Sequence, residues 1–317
     1  MFGLRSSKRE DADKDLGFGA AVASSAAERL LNRDGSFNSR REGLPFIRSL
    51  HLFDLFLTMS WPRFLLLVAM TYLVTNMIFA AAYVILGPGA LEGALDAGRT
   101  DSFPRAFFFS VHTLSTVGYG HIVPASTAAN ILMTLESMFG LFGIALTTGL
   151  VFARFARPVA KILFSANAIV APYRDGHGLM FRIANQRSTQ IIELEATVVF
   201  SRMVDEDGRS IRRFYPLPLE RDKVVFFPLA WTIVHPIDKE SPLYELTSEE
   251  CMRADAEIMV LLKGIDETFS QMVHTRSSFK AREIIWSAKF TDIYLREGPN
   301  IVGIDIGRLS ELKQITA

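Results

Sequence analysis

Two long apolar runs dominate the first half of the chain. The first, from Phe64 to Leu86, contains 23 residues without a single charged side chain. The second, from Ile131 to Phe152, is interrupted by one charge, Glu136. At about 1.5 Å of rise per residue, helices of this length exceed the roughly 30 Å of a bilayer's hydrocarbon core. The pattern therefore predicts two membrane-spanning helices, with two buried helices of a large soluble protein as the alternative.

Positive charge flanks the two runs on their outer ends. These flanking residues are Arg40, Arg41, Arg48 and Arg63 before the first run, and Arg154, Arg157 and Lys161 after the second. The stretch between the runs holds only Arg99 and Arg105. Because loops rich in Lys and Arg stay on the cytoplasmic side, we expect a multi-pass protein of the cell's inner (plasma) membrane with both termini in the cytoplasm.

A short apolar segment, Phe103 to Leu114, lies between the two runs and has Pro104 at the position that suits a first helical turn. As a helix it would measure about 18 Å, which is too short to cross the bilayer. Such a segment is typical of a re-entrant pore helix, which membranes tolerate where protein or a watery cavity surrounds it.

The five residues Thr116, Val117, Gly118, Tyr119 and Gly120 follow this segment almost directly. Four copies of such a loop around an axis could present rings of backbone carbonyls, with the Thr116 hydroxyl, that replace the hydration shell of K⁺. The two glycines allow the backbone conformations that this requires, while the side chains of Val117 and Tyr119 would point away from the axis. One chain supplies a quarter of each ring, so we expect a homotetramer that transports K⁺ and needs no cofactor.

After Pro158 the pattern changes to short alternating strands. Leu194, Ala196, Val198 and Phe200 alternate with polar residues, as in a half-buried strand. Further apolar runs are Leu179–Ile183, Val224–Phe227, Trp231–Val234, Glu257–Leu262, Glu283–Trp286 and Ile301–Ile306, with one short helix over 247–255. Several short strands separated by turn signals favour an all-β sandwich.

The amino-acid composition argues against several other classes of protein. Lys and Arg total 34, as do Asp and Glu, so the net charge is zero and gives no general reason to bind nucleic acid. A single cysteine, Cys251, excludes an internal disulfide framework. The six histidines lack the spacing of metal ligands, and His235 and His274 are interpreted as structural. No enzyme is predicted, and residues 1–40 are interpreted as a mobile tail.

Several stretches resemble the inward-rectifier potassium channels, and most closely their bacterial branch (KirBac). They are Ser60–Phe64, the loop Thr116–Gly120, Gly149–Pro158, Ile233–Asp238 and Ser241–Tyr244. The resemblance covers roughly residues 45–295 and includes the soluble half of the chain, which other potassium channels with the same loop do not share.

The resemblance implies the fold and the domain order. It implies a cytoplasmic N-terminal tail (1–45) and an interfacial slide helix (46–60), which agrees with the amphipathic pattern of residues 48–59. Next along the chain, the resemblance implies a two-span pore domain with a re-entrant pore helix and filter loop (61–157). An immunoglobulin-like cytoplasmic β-sandwich (158–317) completes the implied order.

The inner half of the second span carries the candidate gate. The resemblance implies that four Phe152 rings form a hydrophobic constriction, although a lipid-facing side chain is an alternative. Gly140 and Gly143 are candidate hinges, but glycines at these positions also serve close helix packing.

Arg154, Arg157 and Lys161 form the candidate lipid site. Positive charge just inside the membrane attracts anionic headgroups, and the resemblance implies regulation by phosphoinositides and other anionic lipids. A simple topology signal is the alternative.

Two residues are candidates for supporting the filter. Glu136 is expected to be a buried hydrogen-bonding group behind the loop, and a direct cation site is the alternative. His112 stands where relatives usually carry Glu. It is interpreted either as a neutral hydrogen-bonded side chain or as a source of pH-dependent gating, because histidines titrate near neutrality. His121 and Ile122 also depart from the pattern of relatives, and Ile144 replaces the polyamine-binding residue of strong rectifiers.

The function predicted is passive, potassium-selective conduction through a tetrameric pore, gated at the inner helices and modulated by anionic lipids. The alternative is a two-span receptor with a ligand-binding cytoplasmic sandwich, which would need neither the short helix nor the loop. A potassium channel gated by a nucleotide-binding domain would require a Rossmann fingerprint, and the sequence has none.

Overall fold

The computed structural model describes residues 29–38, 52–93, 102–156, 160–187, 189–206, 208–227 and 229–315. The chain forms two compact units. One comprises Glu42–Arg157 and is mainly helical, and the other comprises Pro158–Ala317 together with Met1–Arg41 and is mainly β.

The described residues of the helical unit form four helices and one short ribbon. Its elements are α1 (Leu52–Thr58), α2 (Trp61–Ile85), β1 (Leu91–Glu92), α3 (Ser102–Leu114), β2 (Val123–Pro124) and α4 (Thr127–Phe155). Pro62 lies in the first turn of α2, where its missing N–H costs nothing. The hydroxyl of Ser126 caps α4 by accepting a hydrogen bond from the Ala129 N–H at 3.1 Å.

Both α2 and α4 are long and apolar enough to cross a membrane. In the most apolar stretch of each helix, only 17% of α2 and 6% of α4 is buried inside the chain. Neither is therefore the core helix of a soluble protein. Helix α2 begins three residues before its apolar run and ends one residue before the run does, whereas α4 begins four residues before its run and ends three residues after it.

The predicted slide helix is only partly described. Helix α1 covers Leu52–Thr58, and residues 46–51 lie outside the described part of the chain. None of the α1 residues is buried, and Leu52, Phe53 and Leu55 expose about half of their surface (54%, 59% and 48%). An apolar helix without a core of its own suits the interface of a membrane.

The β unit is built on two five-stranded sheets, whose strands are numbered here in chain order. The first sheet consists of β6 (Ile191–Glu206), β7 (Arg209–Pro216), β8 (Lys223–Phe227), β10 (Glu257–Asp266) and β11 (Gln271–Lys280). The second consists of β3 (Ile162–Phe164), β4 (Ala168–Tyr173), β5 (Gly176–Asn185), β9 (Ala230–Ile237) and β12 (Ile284–Trp286).

Smaller elements complete the unit. Two ribbons pair β13 (Ala288–Phe290) with β16 (Leu312–Gln314), and β14 (Tyr294–Glu297) with β15 (Asn300–Ile304). Helix α5 spans Ser248–Arg253, within the predicted 247–255, and Thr247 and Glu250 form its capping box.

The apolar faces of the two sheets form one shared core. Val198 and Phe200 of β6 lie opposite Val260 and Ile258 of β10 in the strand register, and all four are buried. Phe181 from β5 of the second sheet belongs to the same cluster. The predicted sandwich is therefore confirmed.

Residues 29–38, here called the N-terminal clip, pack on this sandwich. Leu30 and Leu31 are buried against the sheet, and their N–H groups donate to the Glu257 carboxylate at 3.1 and 3.3 Å. The expectation of a mobile tail is wrong for these residues. Two adjacent leucines and a buried carboxylate supply local stabilisation that the polar composition of the whole tail conceals.

The clip generates a prediction about its own stability. Replacing Leu31 by Ala should destabilise the docked clip by about 2 kcal/mol, because the side chain is buried, and should raise the open population about thirty-fold. The measurement is the rate of tryptic cleavage after Arg33 in the full chain. Phe37→Ala is the control, since that side chain is 42% exposed and should change the rate much less. Equal rates for both variants would contradict the docked arrangement.

Candidate functional site

The loop after α3 has an alternating backbone. Thr116, Gly118 and Gly120 have positive φ angles of 60°, 57° and 77°, whereas Val117 and Tyr119 between them do not. In an extended strand, successive peptide groups point to opposite sides. Alternating left- and right-handed residues instead bring the carbonyls to one side and the N–H groups to the other. The alternation of φ signs is the backbone pattern that such a row of carbonyls requires, and a row of oxygen ligands here stays a prediction.

The C-terminal end of α3 holds the start of this loop. The carbonyl oxygen of His112 accepts hydrogen bonds from the N–H groups of Val117 at 2.9 Å and Gly118 at 3.3 Å, and Thr116 N–H donates to Thr113 O at 3.0 Å. The helix carbonyls that would otherwise lack partners are used in this way. The partly negative end of the helix therefore lies directly beside the loop.

His112 also contacts the loop through its side chain. Its ring lies edge-on to the ring of Tyr119, with 5.0 Å between ring centroids and an interplanar angle of 86°. Both the main chain and the side chain of His112 thus touch the filter loop. A pH dependence arising from this residue stays a prediction.

Glu136 lies in a buried polar network behind α3. Its carboxylate oxygens contact the hydroxyl of Tyr83, at 2.8 Å, and the hydroxyl of Ser110. Ser110 Oγ is also 3.1 Å from Asn76 Oδ1, and Asn76 Nδ2 donates to Tyr72 O at 2.8 Å. The network joins α2, α3 and α4. Glu136 is recognisable from the sequence as the one charge within its apolar run. Its partners are not predicted, although Asn76 is an amide within the other apolar run.

A short ribbon holds the chain where it leaves the loop. Leu91 of β1 pairs with Pro124 of β2, and Ala125 N–H donates to Ala90 O at 2.9 Å. Ile122, between the loop and β2, is buried in the apolar cluster that α2 and α3 share. The loop is therefore attached at both of its ends.

The two candidate hinge glycines differ in their surroundings. A Cβ atom at Gly140 would overlap the backbone of Leu114, whereas one at Gly143 would have nothing within 4 Å in this chain. Close packing against the end of α3 is thus the observed role of Gly140. A hinge at Gly143 stays a prediction.

Arg154 is the junction at the other end of α4. Its guanidinium carbon lies 4.6 Å from the ring centroid of Trp61 and 4.7 Å from that of Phe64. Its nitrogens donate to Met59 O, at 2.6 Å, and to Phe56 O. One cationic side chain therefore binds the C-terminal carbonyls of α1, the first turn of α2 and the last turn of α4.

The other residues predicted for the gate and the lipid site are described only in part. Phe152 is 73% exposed in the single chain. Arg157 lies outside the described residues, and Lys161 is exposed and belongs to the β unit. Of the three basic residues, Arg154 is already engaged by protein groups.

The β unit offers a structural histidine. His235 is buried, with Nδ1 2.6 Å from Pro218 O and Nε2 2.8 Å from Ser241 Oγ. Burial lowers its pKa, so the ring is neutral near pH 7, donating from Nδ1 and accepting at Nε2. Across the described ranges, no cluster of three or more His, Cys, Asp or Glu residues is placed to hold a metal ion.

Comparison with known proteins links both units to one family. Residues 162–317 match the family described as "Inward rectifier potassium channel C-terminal domain", and residues 67–157 match the one described as "Ion channel". The chain is 40% identical over 289 residues to the inward rectifier potassium channel Kirbac3.1 of Paramagnetospirillum magnetotacticum, covering 90% of this chain and 96% of that protein.

More distant relatives are animal proteins. The chain is 29% identical over 294 residues to ATP-sensitive inward rectifier potassium channel 12 of Mus musculus, covering 85% of this chain and 68% of that one. The chain is also 29% identical to the Homo sapiens protein of the same name, and the match covers 85% of this chain and 67% of that protein. Among solved structures, Spo0M of Bacillus subtilis matches at a TM-score of 0.23 and 7% identity over 41% of this chain and 50% of that one, which is too weak for any inference.

The Gly140 contact predicts an effect on stability. Gly140→Ala should destabilise the helical unit by about 1–3 kcal/mol, because the added methyl group overlaps the backbone of Leu114. Gly143→Ala is the matched control, and its open surroundings should leave stability unchanged or slightly raised. The measurement is the apparent melting temperature of the detergent-solubilised protein. If Gly143→Ala lowered the melting temperature more than Gly140→Ala, the Gly140 contact would not be tight.

The Arg154 junction predicts how firmly α1 is held. Arg154→Lys keeps the charge but lacks the planar fork that reaches two carbonyls and stacks on aromatic rings. Losing one charged hydrogen bond, roughly 1.5 kcal/mol, should speed amide hydrogen exchange in residues 52–58 about ten-fold. Arg63→Lys, which changes an exposed arginine at the start of α2, is the control. Unchanged exchange in the Arg154 variant would refute the junction.

Proposed function

Because the chain belongs to the inward rectifier potassium channel family, we propose that it conducts K⁺ passively and selectively through a homotetrameric pore in the plasma membrane. Members of this family are ion channels and not enzymes. Family membership also argues against the two-span receptor considered as the alternative.

The alternating backbone of residues 116–120 carries this proposal. Four such loops around a common axis surround a dehydrated K⁺ with carbonyl oxygens from Thr116, Val117, Gly118 and Tyr119, and the Thr116 hydroxyl adds a further ring. Gly120 completes the loop. The approach of K⁺ is favoured by the negative ends of four α3 helices, each next to its own loop. No protein cofactor is needed, since the ion is the substrate.

The exposure of the loop side chains supports a tetramer. Val117 is 49% exposed and Tyr119 is 67% exposed in the single chain. Exposed apolar and aromatic side chains that lie close together often mark a contact with another protein chain. Neighbouring subunits cover them when four loops assemble around the axis.

Gating is assigned to the inner end of α4. Four Phe152 side chains close the pore as a hydrophobic constriction that excludes water. Because Arg154 ties the end of α4 to α1, a shift of the slide helix displaces Phe152 only two residues away. Gly143 provides the hinge, while Gly140 keeps the upper part of α4 fixed to the pore helix.

Anionic lipids are proposed to act on the same end of the molecule. Arg157 and Lys161 attract phosphoinositide or other anionic headgroups, about 1 kcal/mol for each charge near the surface. Arg154 contributes to this site mainly through its hold on α1. The distribution of Lys and Arg supports cytoplasmic termini. The proposed domains are the tail (1–45), the slide helix (46–60), the pore domain (61–157) and the sandwich (158–317).

Ion flux into liposomes tests the proposal. Purified protein should pass K⁺ at least 100-fold faster than Na⁺, with block by Ba²⁺. Gly118→Ala should abolish this selectivity, because a side chain at φ +57° strains the loop. Gly208→Ala is the matched control: it is also a left-handed glycine (φ +71°) with nothing near its Cβ position, but it lies in the β6–β7 turn. Its flux should equal that of the wild type.

Three results would overturn the proposal. Equal K⁺ and Na⁺ flux through the wild-type protein would remove the filter assignment. Crosslinking that stops at dimers or trimers in a conducting preparation would remove the tetramer. Absence of any flux under a range of lipids, with the protein folded, would favour the receptor alternative.

A further inference from the structure

The polar network around Glu136 is closed within a single chain. Asn76, Ser110 and Glu136 have no exposed surface (0%), and Tyr83 has 1%. Neighbouring subunits, lipids and solvent therefore have no access to these groups. Glu136 forms no ion pair with any residue in the described ranges. Every hydrogen-bond partner of the carboxyl group must come from the side chains already named.

The orientation of the Asn76 amide is determined by a backbone carbonyl. Asn76 Nδ2 lies 2.8 Å from Tyr72 O, and a carbonyl oxygen only accepts hydrogen bonds. The NH₂ group must therefore face Tyr72, so Oδ1 faces the Ser110 hydroxyl at 3.1 Å. This places a second acceptor beside Ser110, in addition to Glu136.

Ser110 has one hydroxyl proton to share between these two acceptors. If Glu136 were a carboxylate, Ser110 and Tyr83 would both donate to it, and Asn76 Oδ1 would face an oxygen without a proton. A buried charge without a cation and a buried carbonyl without a donor would then lie side by side. Both are unfavourable in a site that water cannot reach.

We infer that Glu136 is a neutral carboxylic acid that donates its proton to Ser110. The hydrogen bonds then form one directed chain: Glu136 Oε1–H donates to Ser110 Oγ, Ser110 donates to Asn76 Oδ1, and Asn76 donates to Tyr72 O. Tyr83 donates to the other oxygen of Glu136. Every donor and acceptor side-chain group in the chain has a partner.

The neutral chain acts as a positioning device for the pore helix. It links α4, α3 and α2 at Ser110, one helical turn before Leu114, where α3 ends and the filter loop begins. Because Glu136 carries no charge, it braces the loop without adding a fixed negative charge beside it. Glu136 is thus a positioning residue and not a cation site.

Infrared difference spectroscopy tests this inference directly. The spectrum of the wild-type protein minus that of Glu136→Gln should contain the C=O stretch of a protonated carboxyl group, and this band should shift when glutamate is ¹³C-labelled. The Gln variant should keep the melting temperature of the wild type, since its NH₂ group donates to Ser110 and its carbonyl accepts from Tyr83. Carboxylate bands in place of the C=O band would overturn the inference.

A second variant keeps the test decisive if Glu136→Gln fails to assemble. Tyr83→Phe retains Glu136 and removes only the hydrogen bond to its carbonyl oxygen, so the C=O band should move to higher frequency. A spectrum in which Tyr83→Phe shifts no protonated-carboxyl band would contradict the directed chain. The spectra are recorded without ion flux, so this outcome is independent of the proposed conduction.

Discussion

The arrangement of the filter loop depends on one constraint: a chain segment must present its carbonyls on one side, and this requires left-handed backbone at every second residue. For Thr116, which is β-branched, that conformation costs of order 1–3 kcal/mol. Such a conformation persists only where its surroundings determine it. The surroundings here are the His112 carbonyl, the Tyr119 ring contact, the β1–β2 ribbon and the Gly140–Leu114 packing.

The same helix, α4, links the loop to the opposite end of the unit. Near its start it carries Glu136 and Gly140, which hold α3 from behind, and near its end it carries Arg154, which holds α1. A rigid upper half and a mobile lower half are what a gated pore requires. The proposed hinge, Gly143, and the proposed constriction, Phe152, both lie between these two anchored regions of α4.

The sequence predicted the parts of this protein whose signals are local. The two long apolar runs predicted α2 and α4, and a short apolar segment with a proline near its start predicted α3 to within one residue. The alternation at residues 194–200 identified β6 because its inward face is entirely apolar. Strands β7 and β11 are not predicted, because both are sheet edges that carry many polar residues. Strand β7 buries only Arg212 and Phe214, and three of the four consecutive buried residues at the end of β11 are polar.

The sequence does not predict contacts between side chains that are far apart along the chain. Asn76, Tyr83 and Ser110 meet Glu136 from three helices, and no local pattern connects them. For Arg154, a cluster of positive charge near the membrane predicts a lipid contact or a topology signal, but it does not reveal that Trp61 and the α1 carbonyls also lie within reach of this side chain. The clip at residues 29–38 was missed because two buried leucines cannot be seen in the average composition of forty residues.

The central claim is that the carbonyls of residues 116–119 face a common axis and replace the water around K⁺. Diffraction from crystals grown in Rb⁺, a heavier ion of similar size, measures this most directly through anomalous scattering. We expect a single file of peaks on a four-fold axis, each surrounded by oxygens of these residues. An axis without peaks at the loop, or ions bound to side chains alone, would contradict the account.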